Sequence, residues 1–226
     1  MPTPGYQTQQ QFIAVAGVAS LVIRSLLDRQ QFHDPLGVAA RSGISSATWP
    51  LFGLPWPSGA LLAARLAKRP VRAGERILEI GCGLALASLV AHRCGADITA
   101  SDCHPLAEAF LLENLRLNGL LPMKYRHVDW AAPPPAAAPN LFDLVIGSDV
   151  LYERDDLGLL AACIGGQAAP SAEVWIVDPD RTNRPAFTRR MAQLGFGLRQ
   201  ERMDRAATAG LVGYKGRILI YTRPLA

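Results

Sequence analysis

The chain has 226 residues, of which 50% are hydrophobic and 19% charged, and its formal net charge at pH 7 is +4. That length suffices for one α/β domain with a sizeable core, and the composition is that of a soluble globular protein. No block of five or six like charges calls for nucleic acid, and no apolar run reaches the roughly 18 residues of a membrane span, so neither a nucleic-acid nor a membrane partner is expected.

In chain order, Met1 to Gln11 is polar and carries no positive charge before its first apolar run, unlike a secretory signal. The two runs around Ala16-Gly17 are read as a β-hairpin, with a helix continuing to Gln31 as the other reading of the second run. Asp34 to Pro57 is rich in Gly, Pro and Ser and carries Trp49, Phe52 and Trp56, which predicts a loop held by large apolar anchors. Residues 1–57 are thus expected to form an extension packed on a main domain of residues 58–226.

Ser58 reads as the cap of a helix reaching Ala67, because Leu61, Leu62, Ala64, Leu66 and Ala67 recur at helical spacing. Strand patterns then alternate with helix patterns. Strands are predicted at Ile77–Ile80, Ile98–Ser101, Tyr125–Val128, Leu141–Ser148 and Val174–Val177. Helices are predicted at Leu84–Cys94, Pro105–Asn118, Asp155–Ala162 and Pro185–Leu194. Such alternation implies right-handed crossovers and a Rossmann-like, doubly wound, mostly parallel α/β sheet. The Pro/Ala segment Ala131 to Pro139 is expected as a loop inside this domain. Gly210 to Gly216 separates a weak strand from Arg217–Thr222, which predicts a closing antiparallel hairpin.

The most telling stretch is Glu79-Ile80-Gly81-Cys82-Gly83-Leu84-Ala85. An apolar strand ends at a glycine pair and a helical pattern begins with no space for a loop. Glycines there let a ligand approach the main chain, and the opening helix offers unpaired N–H groups. Asp102 follows about 20 residues later, the spacing at which a carboxylate accepts ribose hydroxyls. The place of the third small residue in the dinucleotide fingerprint is taken by Leu86, which departs from the nicotinamide pattern.

In an open parallel sheet the ligand lies beyond the carboxyl ends of the strands, and the residues there are Gly81 to Gly83, Asp102, Asp129, Asp149 and Asp178. Asp129 is suited to accept from the exocyclic amine of adenine, while Trp130 either stacks on that ring or plugs the proline loop. Asp149 is suited to orient a cationic or hydrogen-bonding acceptor, with Tyr152 one turn later; the other reading is a helix-capping Asp and a packing Tyr. Cys82, Cys94, Cys103 and Cys163 have neither CxxC spacing nor histidine companions, so no metal is expected and three of the four are read as core or turn thiols in a reducing cytoplasm. Arg65, Lys68, Arg69 and Arg72 read as a solvated face.

The pattern Glu79-x-Gly81-x-Gly83-x-Ala85 resembles the first motif of class I, seven-strand, S-adenosylmethionine-dependent methyltransferases. Asp149-x-x-Tyr152, Trp56-Pro57-Ser58-Gly59, Asn114-x-x-x-Asn118 and Asp129-Trp130 further resemble the protein-lysine methyltransferase group that includes the valosin-containing-protein and electron-transfer-flavoprotein β-subunit enzymes. The resemblance covers about Trp49 to Asp178. It implies that Glu79 sits near the methionine part of the cofactor, and that Trp56, Gly81, Asp102, Asp129 and the Gly147-Ser148 turn contact it; the glycine turn and the indole add Gly83 and Trp130 as cofactor candidates. It implies that Asp149 and Tyr152 face the acceptor, and that S-adenosylhomocysteine is the product. The region after Asp178 matches nothing with assurance.

The leading expectation is therefore a methyltransferase acting on a protein lysine. A small-molecule N- or O-methyltransferase is the alternative on the same cofactor. A nicotinamide-dependent oxidoreductase shares Gly81, Gly83 and Asp102 but gives Asp129 and Asp149 no task, and a non-catalytic adenine-nucleotide module is the remaining class.

Overall fold

The structure is a computed structural model that describes residues 5–132, 141–207 and 213–224. Its main sheet has seven strands: β3 (Arg76–Glu79), β4 (Asp97–Asp102), β5 (Lys124–His127), β6 (Phe142–Ser148), β7 (Ala168–Asp178), β8 (Gly197–Arg202) and β9 (Arg217–Arg223). Their order across the sheet is β5-β4-β3-β6-β7-β9-β8. The first five run parallel, and β9 pairs antiparallel with both β7 and β8. The mostly parallel sheet with a closing antiparallel hairpin is thus what the chain forms.

Successive strand residues point to opposite faces, and each face is apolar. Ile77, Leu144, Ile146, Trp175 and Val177 pack with helices α2 (Pro57–Ala67), α3 (Leu86–Arg93) and α4 (Ala107–Leu117). Their neighbours Leu78, Val145, Val174 and Ile176 pack with α5 (Leu159–Gln167) and α6 (Arg184–Gln193). From β3 the chain winds through β4 to β5 in one direction and through β6 to β7 in the other, so the winding reverses between β3 and β6. Ligand crevices form at the carboxyl ends beside such a reversal.

Ahead of the sheet, β1 (Thr8–Ile13) and β2 (Leu21–Leu26) pair antiparallel as a separate hairpin, with Gln10 facing Arg24 and Phe12 facing Val22. The free edge of β2 is met by two asparagines. Asn114 Oδ1 accepts from the Arg24 amide at 2.7 Å, and Asn118 Oδ1 accepts from the Val22 amide at 2.9 Å. Their Nδ2 groups donate back to the Arg24 and Val22 carbonyls. Each side-chain amide therefore imitates a residue of an adjoining strand and seats the hairpin against α4.

Several local expectations need correction. Ser58 is not a cap: Trp56 precedes α2, Pro57 takes its first position, and the buried Ser58 hydroxyl lies 3.0 Å from that of Tyr214. The 34–57 stretch is not all loop, since α1 (Val38–Arg41) and a 3₁₀ turn at Trp49–Gly53 lie in it. α5 begins four residues later than its pattern suggested: Gly158, in the left-handed region, precedes its first residue, and Asp155 stands outside the helix, accepting the Leu159 and Leu160 amides. Arg69 is not solvated; its side chain is nearly buried and paired with Glu75, while Arg65 pairs with Glu201. Of the free cysteines only Cys82 is buried, Cys94 being exposed and Cys103 and Cys163 half-buried. Most of the Ala131 to Pro139 segment, and Gly210, lie outside the described residues. Among the described residues no helix is long and apolar enough to cross a membrane.

Replacing Asn114 with Ala would leave the half-buried N–H and C=O of Arg24 without their side-chain partner, a loss of about 1–2 kcal/mol. Urea unfolding of Asn114→Ala should show that loss, and amide exchange should quicken at Arg24.

Candidate active site

The site starts where β3 leaves the sheet. Gly81 and Gly83 take φ of 55° and 51°, in the left-handed region that L side chains avoid. A Cβ on Gly81 would sit 2.9 Å from Val150 Cγ1, and one on Gly83 would sit 2.7 Å from the Phe52 carbonyl oxygen. The turn is pinned to β4 by two bonds: Cys82 N–H donates to the Ser101 carbonyl at 2.9 Å and Gly83 N–H to Asp102 Oδ2 at 2.8 Å. Glu79 Oε2 accepts both the amide and the hydroxyl of Ser88, which fixes the first turns of α3 to the end of β3.

A cavity of about 280 Å³ opens at this edge. Glu79, Gly81, Gly83 and Asp102 line it from β3 and β4, and Asp129 and Trp130 from the segment after β5. Ser148, Asp149 and Tyr152 line it from the end of β6, and Trp56 from the entry to α2. Ten of the residues singled out in the sequence are therefore brought together. Asp178 is not among the lining residues; it is fully buried at the end of β7, where its Oδ1 accepts the Arg181 amide at 2.7 Å.

The acids occupy different environments. Each Asp102 oxygen accepts one main-chain N–H, Oδ2 from Gly83 and Oδ1 from His104, both at 2.8 Å. Burial raises its pKa, and these amides oppose the rise. A carboxylate oxygen has two lone pairs, so capacity for further donors remains. Burial likewise lifts Glu79 from its ordinary 4.5 to about 7. Asp129 Oδ1 accepts from the Ala131 amide at 2.9 Å.

Asp149 does not cap a helix. It stands in the left-handed region at φ 59°, is 9% exposed, and its Oδ1 lies 2.7 Å from Nη1 of Arg181. Nη1 makes no aligned hydrogen bond, so this is a charge contact rather than a directed one. Tyr152 is half-exposed at the cavity, and desolvation pushes its hydroxyl above the ordinary value; it is a neutral hydrogen-bonding group, not a base.

Sequence reasoning did not place Phe52 or His104 in the site. Phe52 stacks on His104 with centroids 3.6 Å apart and planes 12° apart. Burial pushes His104 down to about 3, and its Nδ1 accepts the Leu106 amide, so the ring is neutral with its proton on Nε2. Arg181 also lines the cavity; it belongs to the stretch Asp178-Pro179-Asp180-Arg181, which the sequence allows as either a second polar contact or a capped loop with an internal Asp–Arg pair. Phe52 had been marked only as a loop anchor, and nothing local in the sequence pairs it with a histidine 52 positions on.

A family model described as lysine methyltransferase matches residues 54–192, more than half of the chain. The chain belongs to the lysine methyltransferase family. This settles the choice left open by the glycine turn in favour of the methyltransferase side. Histone-arginine methyltransferase METTL23 of Xenopus laevis is 32% identical over 132 residues, which span 53% of this chain and 54% of that protein. The electron transfer flavoprotein beta subunit lysine methyltransferase of Danio rerio is 30% identical over 114 residues, 46% of this chain and 40% of that protein. The chain thus spans about half the length of these relatives. Ribosomal protein L11 methylase from Lactobacillus delbrueckii subsp. bulgaricus shares the fold, with a TM-score of 0.52 at 19% identity over 74% of this chain and 77% of that one.

The raised pKa of Glu79 has a thermodynamic consequence. The folded chain keeps a proton that the unfolded chain releases, so this contribution to stability is full below pH 4.5 and is lost as pH rises through about 7. The loss is roughly 3 kcal/mol at most. Denaturant midpoints measured from pH 4 to pH 8 should decline in wild type and decline less in Glu79→Gln.

Proposed function

We propose that this chain transfers a methyl group from S-adenosylmethionine to the side-chain nitrogen of a protein lysine, releasing S-adenosylhomocysteine. The observation that carries this reading is that Asp102 and Asp149, on the carboxyl ends of β4 and β6, flank the glycine turn of β3 in one cavity. The family match and the lysine-directed name of the Danio rerio relative support it.

The lining fits the cofactor. Gly81 and Gly83 leave the main chain open where a Cβ would collide with Val150 or Phe52. Asp102 retains lone pairs for ribose hydroxyls, Asp129 would accept from the adenine amine, and Trp130 and Trp56 offer aromatic faces. Glu79 and Ser148 would border the methionine part. When bound, S-adenosylmethionine supplies an electrophilic methyl: the N–C bond forms as the C–S bond breaks, and the electron pair of the latter returns to sulfur.

The work left to the chain is orientation. Holding the acceptor nitrogen in line with the methyl lowers the barrier by part of the roughly 7–11 kcal/mol that such alignment can supply. Asp149 would hold the acceptor, and the neutral Tyr152 hydroxyl would hydrogen-bond beside it. Residues 1–57 are read as an extension of the 58–226 methyltransferase domain, one that also lends Phe52 and Trp56 to the cavity. The four unpaired thiols accord with a reducing cytoplasm as the working compartment.

Incubation with labelled S-adenosylmethionine and a host extract should label a discrete protein band, with mass spectrometry placing the methyl on lysine. Asp149→Ala should reduce labelling roughly a hundredfold or more while leaving S-adenosylhomocysteine binding intact by calorimetry. Asp102→Ala should weaken that binding at least about tenfold. Label confined to low-mass material would replace the protein acceptor by a small molecule. Binding of NADH but not of S-adenosylhomocysteine would remove the methyltransferase reading altogether.

A further inference from the structure

The acceptor-side carboxylate does not stand alone. Arg181 reaches Asp149 from the loop after β7, where its own amide is fixed to Asp178 Oδ1. Its Nη1 lies 2.7 Å from Asp149 Oδ1 and 3.8 Å from Asp178 Oδ2. All three side chains are largely withdrawn from water, at 24% exposure for Arg181, 11% for Asp149 and none for Asp178. At such burial the charges are poorly screened, so what neutralises what decides the local field. The other charged or titratable groups near this pair are Arg184 at the start of α6, Tyr152 and Glu153 after β6, and Tyr214 ahead of β9. None of these makes an ion pair with Asp149, so Arg181 alone compensates it among the described residues.

A lysine amine, ordinarily protonated up to about pH 10.4, is a nucleophile only after its proton has gone to water. An uncompensated carboxylate beside it would stabilise the ammonium and oppose that loss. A carboxylate partly offset by a guanidinium, here one that Asp178 also approaches, still accepts a hydrogen bond but favours the charged form less. An arginine acceptor would fare worse, because its permanent cation would meet the like charge of Arg181.

Resting on the methyl-transfer reading above, we propose that Arg181 is a positioning and specificity-determining residue: paired with Asp149, it makes the acceptor side receive an uncharged amine in preference to an ammonium or a guanidinium.

Single-turnover rates between pH 7 and 11.5, with labelled S-adenosylmethionine and host-extract protein as acceptor, test this in wild type, Arg181→Gln and Arg181→Lys. In Arg181→Gln the rising limb of the rate profile should move up by about one pH unit, giving roughly a tenfold loss on that limb that narrows as the wild-type rate reaches its plateau. Arg181→Lys should restore the wild-type limb, and S-adenosylhomocysteine binding by calorimetry should match wild type in both variants. Should Arg181→Gln not fold, Arg181→Met carries the same expectation. A uniform loss at every pH, or no loss, would overturn the inference and leave Arg181 a structural residue. Failure of the wild-type chain to label any protein would instead bring down the methyl-transfer reading, and this inference with it.

Discussion

The amide of Gly83 donates to Asp102 across 2.8 Å, and on that bond the geometry of the cavity depends. It joins the carboxyl ends of β3 and β4 beyond their ladder, which ends at Glu79 and Ala100, alongside the bond from the Cys82 amide to the Ser101 carbonyl. A buried carboxylate is costly without donors, and here two main-chain amides meet it, so the acid and the turn each require the other. Ser101 adds a hydroxyl bond to the Glu79 carbonyl at 2.7 Å, and Ser88 answers the Glu79 carboxyl from α3. The turn is fixed by its neighbours on both sides and is set before any ligand arrives.

The two central acids are compensated by different means. Asp102 is met by backbone dipoles that cannot be exchanged or moved far, which suits a group that keeps one partner of fixed geometry. Asp149 is met by a side-chain cation in a charge contact without directed hydrogen bonds, on a loop shared with Asp178. A guanidinium on a flexible stem adjusts its position as a neighbour enters, whereas an amide in a pinned turn does not. The cavity thus has one rigid wall and one electrostatically adjustable wall.

How much of this was legible in the sequence follows from distance along the chain. The strand, glycine turn and helix are contiguous, and Asp102 ends the next strand, so local pattern and crossover rules sufficed to place them. The strand-end acids Asp129 and Asp149 followed from topology, because parallel strands share one carboxyl edge. Ser58 misled because its hydroxyl is used by Tyr214, 156 positions away, and Pro57 took the helix start instead. Arg69 misled in the same way: a basic cluster on a helix end looks solvated until Glu75 folds back onto it. His104 was illegible as a neutral ring because its protonation is set by burial beneath Phe52 and Trp49, which come from a segment that composition marks only as loop.

That segment also explains why the turn needs two glycines rather than one. The positive φ alone would be strained for most residues yet is borne by Ala85 and Asp149 nearby, so backbone conformation is not the whole reason. At position 83 the obstacle is the Phe52 carbonyl, delivered by the 3₁₀ turn that precedes α2; at position 81 it is Val150, delivered by the exit from β6. The two glycines answer to parts of the chain that lie on opposite sides of them in sequence. The N-terminal segment is therefore part of the site's wall, and the narrow clearance at Gly83 records where it must pack.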